Sequence, residues 1–234
     1  MNPGKHLSTQ FDSELNGVSA RVMELGGLVE SQIGDAVGAL LQWNMNVADG
    51  VIAAEARVNH MEIEIDRELS SIIARRQPTA RDLRLLIAIS KITANLERAG
   101  DEAEKIARVA RASRGPGISP LLPANELRGA ALLASGLLRK SLDAFARLDP
   151  AAGILILKED KLLDREFRVI VDKIVAWMTS DPAVIPAAID LLFVAKAVER
   201  IGDHAKNIAE VTIYVVNGTD VRHTSIEQIE SAAR

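Results

Sequence analysis

A short phrase occurs twice in this chain, and its repetition constrains the fold more than any bulk property does. Glu97-Arg-Ala-Gly-Asp-Glu-Ala-Glu-Lys-Ile-Ala107 aligns with Glu199-Arg-Ile-Gly-Asp-His-Ala-Lys-Asn-Ile-Ala209, and seven of the eleven positions are identical. Each copy lies late in an apolar-periodic segment that follows a proline. An ordered duplication of this kind points to one unit built twice. Between the copies, the stretch from Ser113 to Pro123 holds two glycines and three prolines, a composition that cannot be helix interior. The reading is a first unit over 1–114, a linker over 115–123, a second unit over 124–218 and a polar tail over 219–234 that is expected to fray.

Turn signals divide each unit into three. Helices are predicted from about Thr9 to Trp43, Val47 to Arg76 and Thr79 to Ala112, then from Asn125 to Leu148, Ala151 to Thr179 and, after Pro186, to Val216. Thr79 and Asp82 form a capping-box pattern with Asp in place of Glu. Asp149-Pro150 and Ser180-Asp-Pro182 mark breaks, because proline disfavours helical geometry in the residue before it. Asn217-Gly218 is a stop. The expected fold class is all-α: two tandem, internally repeated three-helix bundles, six helices in all. Hydrophobic residues make up 48% of the chain but aromatic ones only 3%, so the core must rest on Leu, Ile, Val and Ala, which suits bundles better than sandwiches.

Several functions are disfavoured at once. The chain has no cysteine, hence no disulfide, thiolate metal site or thiol nucleophile. A formal charge of −4 is not the footprint of a nucleic-acid binder. Residues 1–10 are polar and lack the apolar stretch of an export signal, and Gly129 to Leu138 is too short to span a bilayer. A cytoplasmic protein without direct membrane insertion is the expectation. No phosphate loop, dinucleotide glycine pattern or nucleophile elbow occurs. No Glu stands three residues before any of the four His, which argues against ferritin-like di-iron oxidase chemistry.

The carboxylates carry the functional signal. On a helical wheel, Glu97 and Asp101 lie roughly 150° from the apolar stripe of Leu85, Ile89, Ile92, Leu96, Ala99, Ala103 and Ile106. Glu199 and Asp203 lie roughly 140° from the stripe of Leu191, Val194, Val198, Ile201, Ala205 and Ile208, so both pairs are expected to point outward. Acids four apart share a helix face, where they repel mildly and can also present oxygens to one hard cation such as Mg, Mn or Fe. Asp160 and Asp164 repeat this spacing, and Glu55, Asn59, Glu62 and Asp66 form a row on the second helix. Packing of the second helix on the third, and of the fifth on the sixth, would bring these rows together. A solvated helix face explains any one pair equally well; the duplication favours a functional surface. Gly100 and Gly202 mark either close helix approach or room for a cation. Arg98 and Arg200 read as salt-bridge partners or interface anchors, His204 as a surface residue, and Trp43 and Trp177 as packing near helix ends.

These same phrases resemble the two signatures of the PhoU family, Leu96 to Ala107 the first and Ala197 to Glu210 the second; Gln77 to Arg84 and Val221-Arg-His-Thr224 also resemble family segments. The resemblance implies a non-enzymatic negative regulator of phosphate uptake and phosphate homeostasis. Such a protein acts between the ATPase and permease of the phosphate ABC transporter and the sensor histidine kinase of the phosphate regulon, a two-component system. It implies metal-binding at Glu97, Asp101, Asp160, Asp164, Glu199 and Asp203. Asn59 stands where that motif has a carboxylate, so the first site is expected to bind more weakly or to recruit Glu62, and the second bundle to hold metal more tightly. A homodimer is compatible with the sequence. Two alternatives stand beside this reading: an adaptor whose acidic rows bind basic partners without metal, and a metal-dependent hydrolase, disfavoured because no general base or nucleophile stands out.

Overall fold

Side-chain caps open several of the helices. The computed structural model describes residues 9–112 and 123–232. The linker expected at 115–123 lies outside these residues except for Pro123, which is buried. Helices α1 (Thr9–Gln42), α2 (Met45–Arg76) and α3 (Ala80–Ala112) are followed by α4 (Ala124–Arg147), α5 (Pro150–Ser180), α6 (Ile185–Asn217) and a short α7 (Ile226–Ala232). Asn44 caps α2 by accepting from the Val47 amide, and Asp149 caps α5 by accepting from the Ala152 amide, with Pro150 at the first helical position. Gly218 ends α6 at φ +75°, a left-handed conformation that glycine adopts without a Cβ penalty. At the start of α3 the Thr79 hydroxyl donates to the Asp82 carboxylate at 3.1 Å, joining side chain to side chain the two residues of the expected capping box.

The α1–α3 and α4–α6 triads each pack mutually around an aliphatic core, as the duplication requires. Within the first, antiparallel α1 and α2 are tied by Arg21 to Glu64 and Glu68, and by Glu14 to Arg75 and Arg76. The two bundles are also docked against each other, through α3 on α6 and α1 on α4. Lys91 stacks over Tyr214, Asn95 meets Asn207 and Glu102 meets Arg200, so α3 and α6 run antiparallel with the repeated phrases at their crossing. At the α1–α4 contact, a Cβ on Gly26 would come within 2.4 Å of Leu142 Cδ1. Docking, added to the packing within each bundle, leaves α3 and α6 covered on three sides; Glu102 and His204 are buried in the α3–α6 contact, and Gly100 and Gly202 against α2 and α5.

The tail differs from expectation. Val221 and Ile229 are buried, and α7 packs on α5. Its start is a true capping box: Ser225 Oγ accepts from the Gln228 amide while Gln228 Oε1 accepts from the Ser225 amide. The Ser-x-x-Gln spacing was the available signal.

Candidate functional site

The acidic rows meet in two grooves, α2 against α3 and α5 against α6. In the first, Glu97 and Asp101 turn toward α2 and are half-buried, not outward. Their angle from the apolar stripe does not lead to solvent, because α2 covers that flank of α3. Across the groove stands Glu55, only 6% exposed, with neither carboxylate oxygen in a hydrogen bond. A Cβ on Gly100 would lie 3.2 Å from Glu55 Oε2 and 3.4 Å from Gln32 Oε1, so the glycine admits the carboxylate. Burial pushes the Glu55 carboxyl up to about 7, helped by the charges of Asp101, Glu104 and Glu97; the Gln32 amide opposes this without a hydrogen bond of normal geometry. Burial also raises Glu97 and Glu62, reinforced by Asp101 and Glu62 at the former and by Asp66 at the latter.

In the second groove Asp160, 3% exposed, occupies the place of Glu55. Glu199 and Asp203 on α6 are half-buried and face it, again a departure from the outward orientation. Lys206 Nζ lies 3.2 Å from Asp160 Oδ2, and Lys196 pairs with Glu199 at 2.5 Å. Burial raises Asp160 although the Lys206 ammonium pulls it back; Asp203 is raised by burial and by the charges of Glu199 and Asp160. Gly202 here admits a side chain of another kind: its Cβ would meet Leu163 Cδ2 at 2.1 Å, with Asp160 Oδ1 at 3.6 Å. Asp164 lines a cavity of about 280 Å³ with Asp160, Lys206 and Glu210, roofed by Ser225 and Glu227 at the start of α7.

His204 is not a surface residue. It is 6% exposed in the α3–α6 contact, with Nδ1 3.2 Å from Asn95 Oδ1, and burial plus the charges of Arg200, Arg98 and Lys105 lower it to about 4. It therefore belongs to the bundle interface, as does Arg200, which pairs with Glu102. Trp177 packs on the core as expected.

Oxygen-only donors, charged and poorly solvated, suit a hard divalent cation. The unpartnered Glu55 carboxylate is the observation that fits the first groove to such an ion, with Glu97 and Asp101 as its partners. As the side chains stand, no three His, Asp or Glu among the described residues close on one point as a metal site. Glu55 is a member of the site that the acid pairs of α3 and α6 do not indicate by themselves. Extending the repeat into α2 and α5, where Glu55 and Val58 match Asp160 and Leu163 around the two glycines, identifies it.

The PhoU domain model matches this chain twice, over residues 22–110 and 127–212, one match within each bundle. This chain belongs to the PhoU family. It is 47% identical over 230 residues to a Burkholderia protein described as a phosphate-specific transport system accessory protein PhoU homolog, covering 98% of each chain. The phosphate-specific transport system accessory protein PhoU of Escherichia coli is 41% identical, over 98% of this chain and 95% of that one. The crystal structure of PhoU from Pseudomonas aeruginosa superposes with a TM-score of 0.85 at 42% identity, over 89% of this chain and all of that one. The tandem helical bundles inferred from the duplication are thus the PhoU architecture. Among the described residues no helix is long and apolar enough to cross a membrane.

Proposed function

We propose that this chain is a non-enzymatic negative regulator of phosphate uptake and phosphate-starvation signalling. It acts in the cytoplasm as a metal-bearing adaptor between the phosphate ABC transporter and the sensor histidine kinase of the regulon. The observation that carries this reading is end-to-end similarity, through both bundles, to proteins named as accessories of phosphate-specific transport. The acidic grooves support its metal-bearing part: a buried, unpartnered Glu55 opposite Glu97 and Asp101 is costly for stability alone and suits a cation of the Mg, Mn or Fe type.

The test is alkaline phosphatase activity in phosphate-rich medium in a bacterium lacking its own PhoU. Wild type at matched expression is expected to silence the enzyme, and the Glu97→Ala/Asp101→Ala/Glu199→Ala/Asp203→Ala variant to lose silencing while keeping its helicity. Silencing by both keeps the regulatory role and removes the metal from it. Silencing by neither, together with no binding to the cognate kinase or transporter ATPase, overturns the role. Loss of partner binding on EDTA treatment distinguishes a metal-bearing surface from an acidic one that docks basic partners directly.

A further inference from the structure

The repeat aligns Glu104 with Lys206, and Ala94 with Lys196. At both positions the second copy has a lysine where the first has none, and both lysines are engaged with the groove acids: Lys206 with Asp160 at 3.2 Å and Lys196 with Glu199 at 2.5 Å. The neighbouring positions invert as well, since Glu104 pairs with Arg108 in the first copy, whereas Lys206 stands four residues before Glu210 in the second. Among the described residues no lysine or arginine forms an ion pair with Glu55, Glu62, Glu97 or Asp101. No ammonium or guanidinium is seated among the first groove's carboxylates: Arg98 acts on Glu62 and Glu97, and Lys105 on Glu97, from beyond ion-pair distance, and the most buried member, Glu55, has both oxygens without a hydrogen bond. In the second, Phe167 takes the place that repeat spacing gives to Glu62, and it lies beneath Lys196.

We propose that the grooves have divided roles: the first takes a divalent cation, and the second takes none because the ammonium groups of Lys196 and Lys206 already serve as its cations. This inference rests on the metal-bearing reading above and reverses the ranking expected from Asn59 alone. One neutral oxygen donor weakens a site modestly, whereas an ammonium group seated among the carboxylates both repels the ion and occupies their lone pairs.

The test uses the full chain and Mn²⁺, followed by calorimetric titration and by loss of the free-ion electron paramagnetic resonance signal, with helicity checked by circular dichroism. Glu97→Gln/Asp101→Asn is expected to weaken binding by at least about tenfold, the loss that even outer-shell changes reach. Glu199→Gln/Asp203→Asn is expected to leave the isotherm unchanged. Lys196→Ala/Lys206→Glu, which installs the residues of the first copy, is expected to add a second class of site; Lys206→Gln is the milder form should the double variant lose helicity. Equal weakening by both carboxylate variants, or no gain from either lysine variant, overturns the division of roles and leaves the metal-bearing reading standing. Absence of Mn²⁺ binding by the wild type overturns both.

Discussion

Arg200 Nε lies 3.1 Å from Glu102 Oε1, joining the last helix of one bundle to the last helix of the other. The contact is asymmetric about the duplication: Arg200 copies Arg98, but Glu102 is replaced by His204. Glu102 is buried and also accepts from Lys105 at 2.9 Å, so one carboxylate holds two cations at the seam. Glu102→Ala is expected to lower unfolding free energy by about 1–2 kcal/mol; hydrogen bonds to charged groups are worth more, but Arg200 and Lys105 are half exposed and regain water. Urea denaturation measures this, and a change within error would show that the seam does not depend on the pair.

The glycines separate packing from helix propensity. Gly202→Ala would drive a methyl to 2.1 Å from Leu163 Cδ2 in the core, and the overpacking is expected to destabilise by about 1–3 kcal/mol before any propensity gain. Gly50, exposed in α2 with nothing within 4 Å of its Cβ direction, should respond oppositely, with Gly50→Ala stabilising by up to about 1 kcal/mol. Thermal unfolding of both variants checks the signs.

Glu14 bonds Arg76 and Arg75, which hold its carboxyl down to about 2, with the Arg76 bond the largest cause. A carboxyl lowered on folding adds stability above its unfolded value near 4.5, and that stability fades as pH falls toward about 2. The stability gap between wild type and Glu14→Gln should therefore be widest at neutral pH and shrink steadily from pH 5 to pH 3. Denaturation series at several pH values read it out; a gap independent of pH would assign the loss to packing.

Glu55 has the reverse linkage. Its carboxyl is raised by folding, so its contribution is present at low pH and is lost as pH rises through about 7. Without divalent cation, Glu55→Gln is expected to stabilise the protein at pH 8 by about 1–3 kcal/mol, the scale of a buried polar group lacking a partner, and to match wild type near pH 5. Saturating Mn²⁺ should raise the melting temperature of wild type more than that of the variant. Scanning calorimetry with and without Mn²⁺ decides it, and equal shifts would place the ion elsewhere.

The duplication, the helix breaks and the apolar stripes were local properties, so the sequence by itself determined six helices in two like bundles; Ile89, Leu96, Val198 and Ile208 are buried as their spacing requires. Proline, glycine and capping residues act within a few bonds, and the helical period fixes which face seeks the core. Docking of α3 on α6 is a different matter. It depends on surfaces far apart in sequence, and only the tertiary structure decided that His204 is buried, that Arg200 reaches Glu102 and that the acids on α3 and α6 lie in grooves. A wheel drawn for one helix has one inside and one outside, whereas these central helices have neighbours on three sides. The physical difference between the two grooves arises in the same way, because a lysine four residues from a wheel-mate says nothing about an aspartate on another helix until packing brings Lys206 to Asp160.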